Sequence, residues 1–183
     1  MHDTLRLILM YFVLPVWLAA GFADWLCHRK AHIATTSGPK ESLMHLLMFV
    51  EMGAPLLAAL FFEVNALVLV FMMAMLVAHV ATALWDVHYA LGTREVTYIE
   101  QHVHSYLEMM PLMATVLVVA MHFDAFLSIF GAGPAPASYT LEWRGAGLPV
   151  PYIAALMGAI LIFEIAPYLE ELWRGVKARR ALE

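Results

Sequence analysis

Three stretches of this chain place histidines and carboxylates four residues apart. Asp24, His28 and His32 are spaced i, i+4, i+8, as are Glu100, His104 and Glu108, and Glu41 and His45 form a shorter version. On a helix, residues four apart share one face with about 5–6 Å between them. Each set therefore presents a strip of metal ligands. Asp86 and His88 form a fourth group, but residues two apart cannot share a helix face. His102 and His104 pose the same choice, and His104 is the one that fits the Glu100 strip. The candidate metal ligands are thus Asp24, His28, His32, Glu41, His45, Asp86, His88, Glu100, His104 and Glu108. Mixed imidazole and carboxylate donors suit iron, with zinc or manganese as alternatives. Their number suffices for two ions about 3.5–4 Å apart.

These residues need elements to position them. The 183-residue chain is 63% hydrophobic and 14% charged, with a mean hydropathy of +0.77; a soluble domain is nearer half apolar and a quarter charged. The composition predicts an integral membrane protein, and the length a single transmembrane domain over 1–183. A transmembrane helix needs roughly 20 mainly apolar residues. Five stretches qualify: 5–26, 43–62, 66–91, 105–130 and 150–172. The fold class is all-α, a polytopic membrane bundle, with Pro15, Pro55, Pro111 and Pro167 inside spans as candidate kinks. Arg29 and Lys30 outnumber Arg6, so the first run reads as a retained anchor and not a cleaved signal.

Five spans put the termini on opposite sides. Arg29, Lys30, Lys40, Arg94 and the tail residues Arg174, Lys177, Arg179 and Arg180 share one side; Arg6 and Arg144 lie on the other. The positive-inside rule places the N-terminus outside and the tail in the cytoplasm, as in a bacterial-type inner membrane. The candidate ligands then gather at the cytoplasmic face. Arg94 and Glu95 read as an interfacial charge pair. His2 and His122 read as ordinary interfacial histidines. The outer half is expected to be nearly devoid of polar groups, without a vestibule, and residues 131–147 read as an outer loop without chemistry. No charged tail suggests a nucleic-acid partner.

The chain also reads as two related hairpins, 5–62 and 66–130, followed by an extra helix at 150–172. His28, Glu41, His45, Glu51 and Pro55 correspond to His88, Glu100, His104, Glu108 and Pro111. Two hairpins of one orientation can pair about a pseudo-twofold axis, each supplying ligands to one ion.

With its His28-Arg-Lys-Ala-His32 box at the cytoplasmic ends of spans, the chain resembles the histidine-rich integral-membrane non-haem diiron enzymes of the fatty-acid desaturase and hydroxylase class. It lacks their HxxHH box, and carboxylates stand where several histidines are usual. The resemblance implies two irons and dioxygen-dependent hydroxylation or desaturation of a hydrophobic substrate, with electrons from a separate donor. Glu51 and Glu164 lie further inside and are the candidate catalytic carboxylates, either holding a ligand histidine or forming a proton or ion route. The alternatives are a zinc-dependent membrane hydrolase, which needs about three protein ligands, and a metal-ion transporter, which needs ionisable groups along its whole path.

Overall fold

The computed structural model describes residues 2–145 and 147–181. Five helices are long and apolar enough to cross a membrane: α1 (His2–Lys30), α2 (Pro39–Phe61), α3 (Ala66–Thr93), α4 (Tyr98–Met121) and α6 (Val150–Arg180). A short α5 (Phe123–Ile129) follows α4. The protein is an all-helical membrane bundle. Its outward faces carry exposed Val77, Leu84, Val116 and Ile162, the side chains that lipid hydrocarbon covers.

The ends of the helices are set by local chemistry. Gly38 adopts a positive φ of 71° and hands over to Pro39 at the start of α2, where the missing N–H costs nothing. The Asn65 side chain accepts from the Val68 N–H and caps α3, and the Thr97 hydroxyl accepts from the Glu100 N–H and caps α4. Pro15 and Pro167 each follow a wide turn, Leu9–Val13 in α1 and Leu161–Ile165 in α6. Leu14 and Ala166 donate five residues back, to Leu9 and Leu161. A proline cannot donate to the carbonyl four residues before it, and the wide turn absorbs that gap. Pro55 and Pro111 sit in unbroken helices.

The boundaries differ from expectation in two ways. At the end of the bundle that carries Lys30, Lys40 and Arg94 the helices outrun the apolar spans, reaching Lys30, starting at Pro39, reaching Thr93, starting at Tyr98 and reaching Arg180. The charged residues there lower hydropathy but bond one another, so the helices continue. The fourth span stops at Met121, because His122 leaves the helical region with φ −123° and ψ 41°.

The five long helices form a closed ring in the order α1, α4, α3, α2, α6. α6 separates α1 from α2. It approaches α2 closely at Gly175, where an added Cβ would lie 3.1 Å from the Pro39 nitrogen. Apolar cores fill the half of the bundle away from those charged ends, around Leu69, Met72 and Val118 on one side and Leu14, Leu60 and Ile160 on the other. The loop before α6 is pinned over the α2–α3 turn. Glu63 donates its N–H to the Glu142 carbonyl, Arg144 donates its N–H to the Phe61 carbonyl, and Trp143 stacks on Phe62 with ring centroids 4.6 Å apart.

Candidate metal centre

Every helix of the ring sends polar side chains to its centre at the end opposite that loop. α1 supplies Asp24 and His28, α2 Glu41 and His45, α3 Asp86, α4 Glu100 and His104, and α6 Tyr168 and Glu171. Helical spacing puts each pair on one face. His28, Glu41, Glu100 and Glu171 are wholly buried, and Asp24, Asp86 and His45 nearly so.

Glu171 organises the cluster. The His28 Nδ1–H donates to Glu171 Oε2 at 3.0 Å and the His45 Nδ1–H donates to Oε1 at 2.8 Å. The two imidazoles stack, centroids 4.3 Å apart and planes within 9°. A carboxylate on Nδ1 fixes each tautomer and turns Nε2 into the free ligand atom, as in carboxylate–histidine–metal arrangements.

The Nε2 atoms point at carboxylates. His28 Nε2 lies 3.3 Å from Asp24 Oδ2 and 3.6 Å from Glu100 Oε1. His45 Nε2 lies 3.4 Å from Asp86 Oδ1, and His104 Nε2 lies 3.0 Å from Asp24 Oδ1. Yet His28 Nε2, His45 Nε2, Asp24 Oδ1 and Asp86 Oδ1 are buried without a hydrogen-bond partner. Separations of about 3.0–3.4 Å are those of neighbouring ligands each about 2.0–2.2 Å from one ion. A lone pair facing a buried carboxylate is relieved by a cation between them, a metal ion or a proton on the imidazole. The residues therefore fit a metal. Asp24, His28 and His104 form one group able to hold an ion, and His28, Glu41 and His45 another.

Arg94 is the cluster's one fixed cation among the described residues. Its Nε donates to Glu41 Oε1 at 3.1 Å and its Nη1 to Glu100 Oε2 at 3.0 Å, with the side chain almost fully buried. Burial works against its charge, but the hydrogen bonds of Glu100 and Glu41 more than offset it and raise its pKa above the ordinary arginine value. Arg94 thus pairs with Glu41 and Glu100. The expected pairing with Glu95 is corrected: only the Glu95 main-chain carbonyl meets it, at 3.3 Å.

Not all the sequence candidates meet here. α1 ends at Lys30, so His32 falls in the following turn, exposed and with φ 54°; the strip stops at His28. Asp86 is buried while His88 faces outward, which settles that choice by helix phase. His88 therefore does not play the part of His28, its repeat counterpart. Instead Asp24 of α1 meets His104 of α4, and Asp86 of α3 meets His45 of α2. Glu108 is exposed and reaches only the rim of a cavity. His102 points outward against Tyr106. Glu51 accepts from the Thr82 hydroxyl at 2.8 Å and lies 3.9 Å from His79 Nδ1. Glu164 lies against Gly21 of α1, where an added Cβ would fall on its carboxylate. Glu171 and Tyr168, whose hydroxyl donates to the Gly21 carbonyl at 3.2 Å, carry no candidate role in the sequence reading. Their signal was the stripe Glu164, Tyr168, Glu171, Gly175 at helical spacing.

A cavity of about 350 Å³ adjoins the cluster, with Asp24, His45, Asp86 and His104 at its polar end. Its walls are otherwise mostly apolar, and it reaches the outward face of α2 at Val50 and Leu57. A second cavity of about 380 Å³ lies at the other end of the bundle, bordered by His2, Arg6, Glu63, His122 and Arg144. The outer half is thus not without a vestibule; loop 138–144 and the ends of α1 and α4 bring distant polar residues together there.

The fold and cluster define a class, an integral membrane helical bundle with a buried histidine–carboxylate centre. No family model matches the chain, nor does any curated protein or solved structure.

Proposed function

We propose that this is a membrane metalloenzyme whose cluster holds two ions, preferentially iron, and oxidises a hydrophobic substrate with dioxygen. The observation that carries the reading is the pair of buried imidazoles held through Nδ1 by Glu171, with Nε2 atoms that lack hydrogen-bond partners and face carboxylates. Charge supports two ions. Asp24, Glu41, Asp86, Glu100 and Glu171 are buried against the single guanidinium of Arg94. Four negative charges remain, which two divalent cations would balance; buried carboxylates left unpaired each cost several kcal/mol. When bound, such a pair of ions supplies dioxygen binding and activation for hydroxylation or desaturation, with electrons from a separate donor protein. The chain's own part is to fix the ligands, to exclude water from the centre, and to admit an alkyl chain from the bilayer between helices at Val50 and Leu57. The bias of basic residues to the cluster's side supports a cytoplasmic cluster with the N-terminus outside.

A single-zinc hydrolase is the second reading, favoured by the three-ligand group Asp24, His28 and His104. An ion path through the bundle is disfavoured by the apolar wall of Leu14, Trp17, Met52 and Leu56 between the two cavities. Elemental analysis with an optical spectrum of detergent-purified protein tests all three. About two irons per chain without a Soret band is the expected result. Zinc alone would select the hydrolase, and absence of metal would overturn the metalloenzyme.

A further inference from the structure

The outer cavity has a polar mouth and an apolar floor, and its floor is the roof of the inner cavity. Leu14 and Trp17 of α1 and Met52 and Leu56 of α2 border both. The two spaces therefore lie end to end along the bundle, separated only by side chains. At the mouth, the acidic groups are already engaged. Asp3 accepts from Arg6 at 3.1 Å, and Glu63 accepts from the Gly145 N–H at 3.1 Å. Arg144 is different: its main chain is fixed to Phe61, while its guanidinium has no hydrogen bond or ion pair with any described residue. His122 stands in the same wall. Burial, then the charges of Arg144 and His2, hold its imidazole below the ordinary histidine range, with Glu63 acting the other way.

We propose that the outer cavity binds the anionic headgroup, carboxylate or phosphate, of a single-chain amphiphile whose hydrocarbon tail passes Trp17 and Met52 into the inner cavity and ends at the histidine–carboxylate cluster. Arg144 anchors the head. The mouth is one membrane thickness from the cluster: His104 to His122 along α4 is about 27 Å at 1.5 Å per residue. Only an extended chain of membrane-lipid length covers that distance, so the centre faces the end of the chain remote from the head. That the bound chain is the substrate rests on the metalloenzyme reading; the binding itself does not.

The test uses the full chain in neutral detergent and probes carrying bromine at mid-chain, which quench nearby tryptophan fluorescence. Three probes of equal length are compared: a fatty acid, an alkyl phosphate and an alcohol. Saturable quenching by the acid or the phosphate is expected, the tighter of the two naming the head. Trp17→Phe should remove most of that quenching. Arg144→Gln, on a surface loop, should weaken the anionic probes about tenfold, the loss of one charge-assisted hydrogen bond, and leave the alcohol unchanged. An alcohol that binds as tightly as the anions, or quenching that survives Trp17→Phe, overturns the proposal. Repeating the titration on chelator-stripped protein separates the two readings. Binding that persists after stripping sustains the amphiphile site independently of any metal, whereas protein that holds no metal as purified discards the metalloenzyme alone.

Discussion

Glu171 is one carboxylate serving two imidazoles, and that makes it the most sensitive residue of the centre outside the ligands. Its two oxygens fix the Nδ1 atoms of His28 and His45. Glu171→Gln keeps the shape but offers one acceptor and one donor where two acceptors are needed, so one imidazole must flip or turn. Metal affinity should fall about 10–100-fold, read by competition with a chromophoric chelator; an unchanged affinity would remove Glu171 from the centre. Arg94 is sensitive in another way. Arg94→Ala leaves Glu41 and Glu100 buried without their cation, and the protein should lose about 3–5 kcal/mol of stability, measured by unfolding in detergent. Arg94→Lys keeps the charge without the fork that spans two carboxylates and should recover only part of it. These two residues also show how far spacing alone could be read. Asp24, His28, Glu41, His45, Asp86, Glu100 and His104 are legible because each stands at helical spacing from a partner or at the end of an apolar run. Arg94 was misread because sequence proximity to Glu95 suggested a pair, whereas the loop turns its guanidinium inward. Glu171 was missed because it sits among charged residues that resemble an interfacial tail.

The elements explain why that tail is not one. α6 continues to Arg180 because its polar last turns are held by other helices: Trp25 donates to Glu170 at 3.2 Å, Arg174 pairs with Glu170 at 2.8 Å, and Gly175 lets the helix axis close on Pro39. Glu171 lies one turn before Gly175 on the same face, so the close crossing sets its depth. Gly175→Ala places a methyl against the backbone of Gly38 and Pro39, at 3.1–3.4 Å, where no rotamer can relieve it. A loss of about 1–3 kcal/mol is expected, together with weaker metal binding as Glu171 is displaced. Gly158→Ala, on the same helix with no neighbour within 4 Å, is the control and should gain about 0.5–1 kcal/mol. If both variants behave alike, the crossing does not position the site. Five spans and their order along the chain were legible from hydropathy, because apolar runs of this length have few other uses. The ring order was not. It depends on α6 inserting between α1 and α2, a long-range packing choice that leaves no local periodicity.

At the scale of the whole molecule, charge is unevenly distributed along the bundle. The middle is apolar apart from Glu51, His79, Thr82 and Glu164, the mouth at the far end balances Arg6 and Arg144 against Asp3 and Glu63, and the cluster end concentrates five buried carboxylates around one arginine. Folding that end without cations sets like charges against one another at low dielectric. Metal binding should then be a large part of stability and not only of activity. An ion at 100 times its dissociation constant adds about 2.7 kcal/mol. Two such ions in a chain of this size correspond to roughly 10–20 °C in the unfolding midpoint. Chelation should lower the midpoint by that order, and returning iron should restore it. Acid should act in the same direction. Ligand carboxylates and imidazoles must be deprotonated to bind, so retained metal and midpoint should fall together as the pH is lowered. The stripped protein should respond less, because protons then neutralise the same carboxylates that the ions had balanced. A midpoint indifferent to chelator but raised by acid would identify protonated histidines as the missing cations, and the cluster as a proton site.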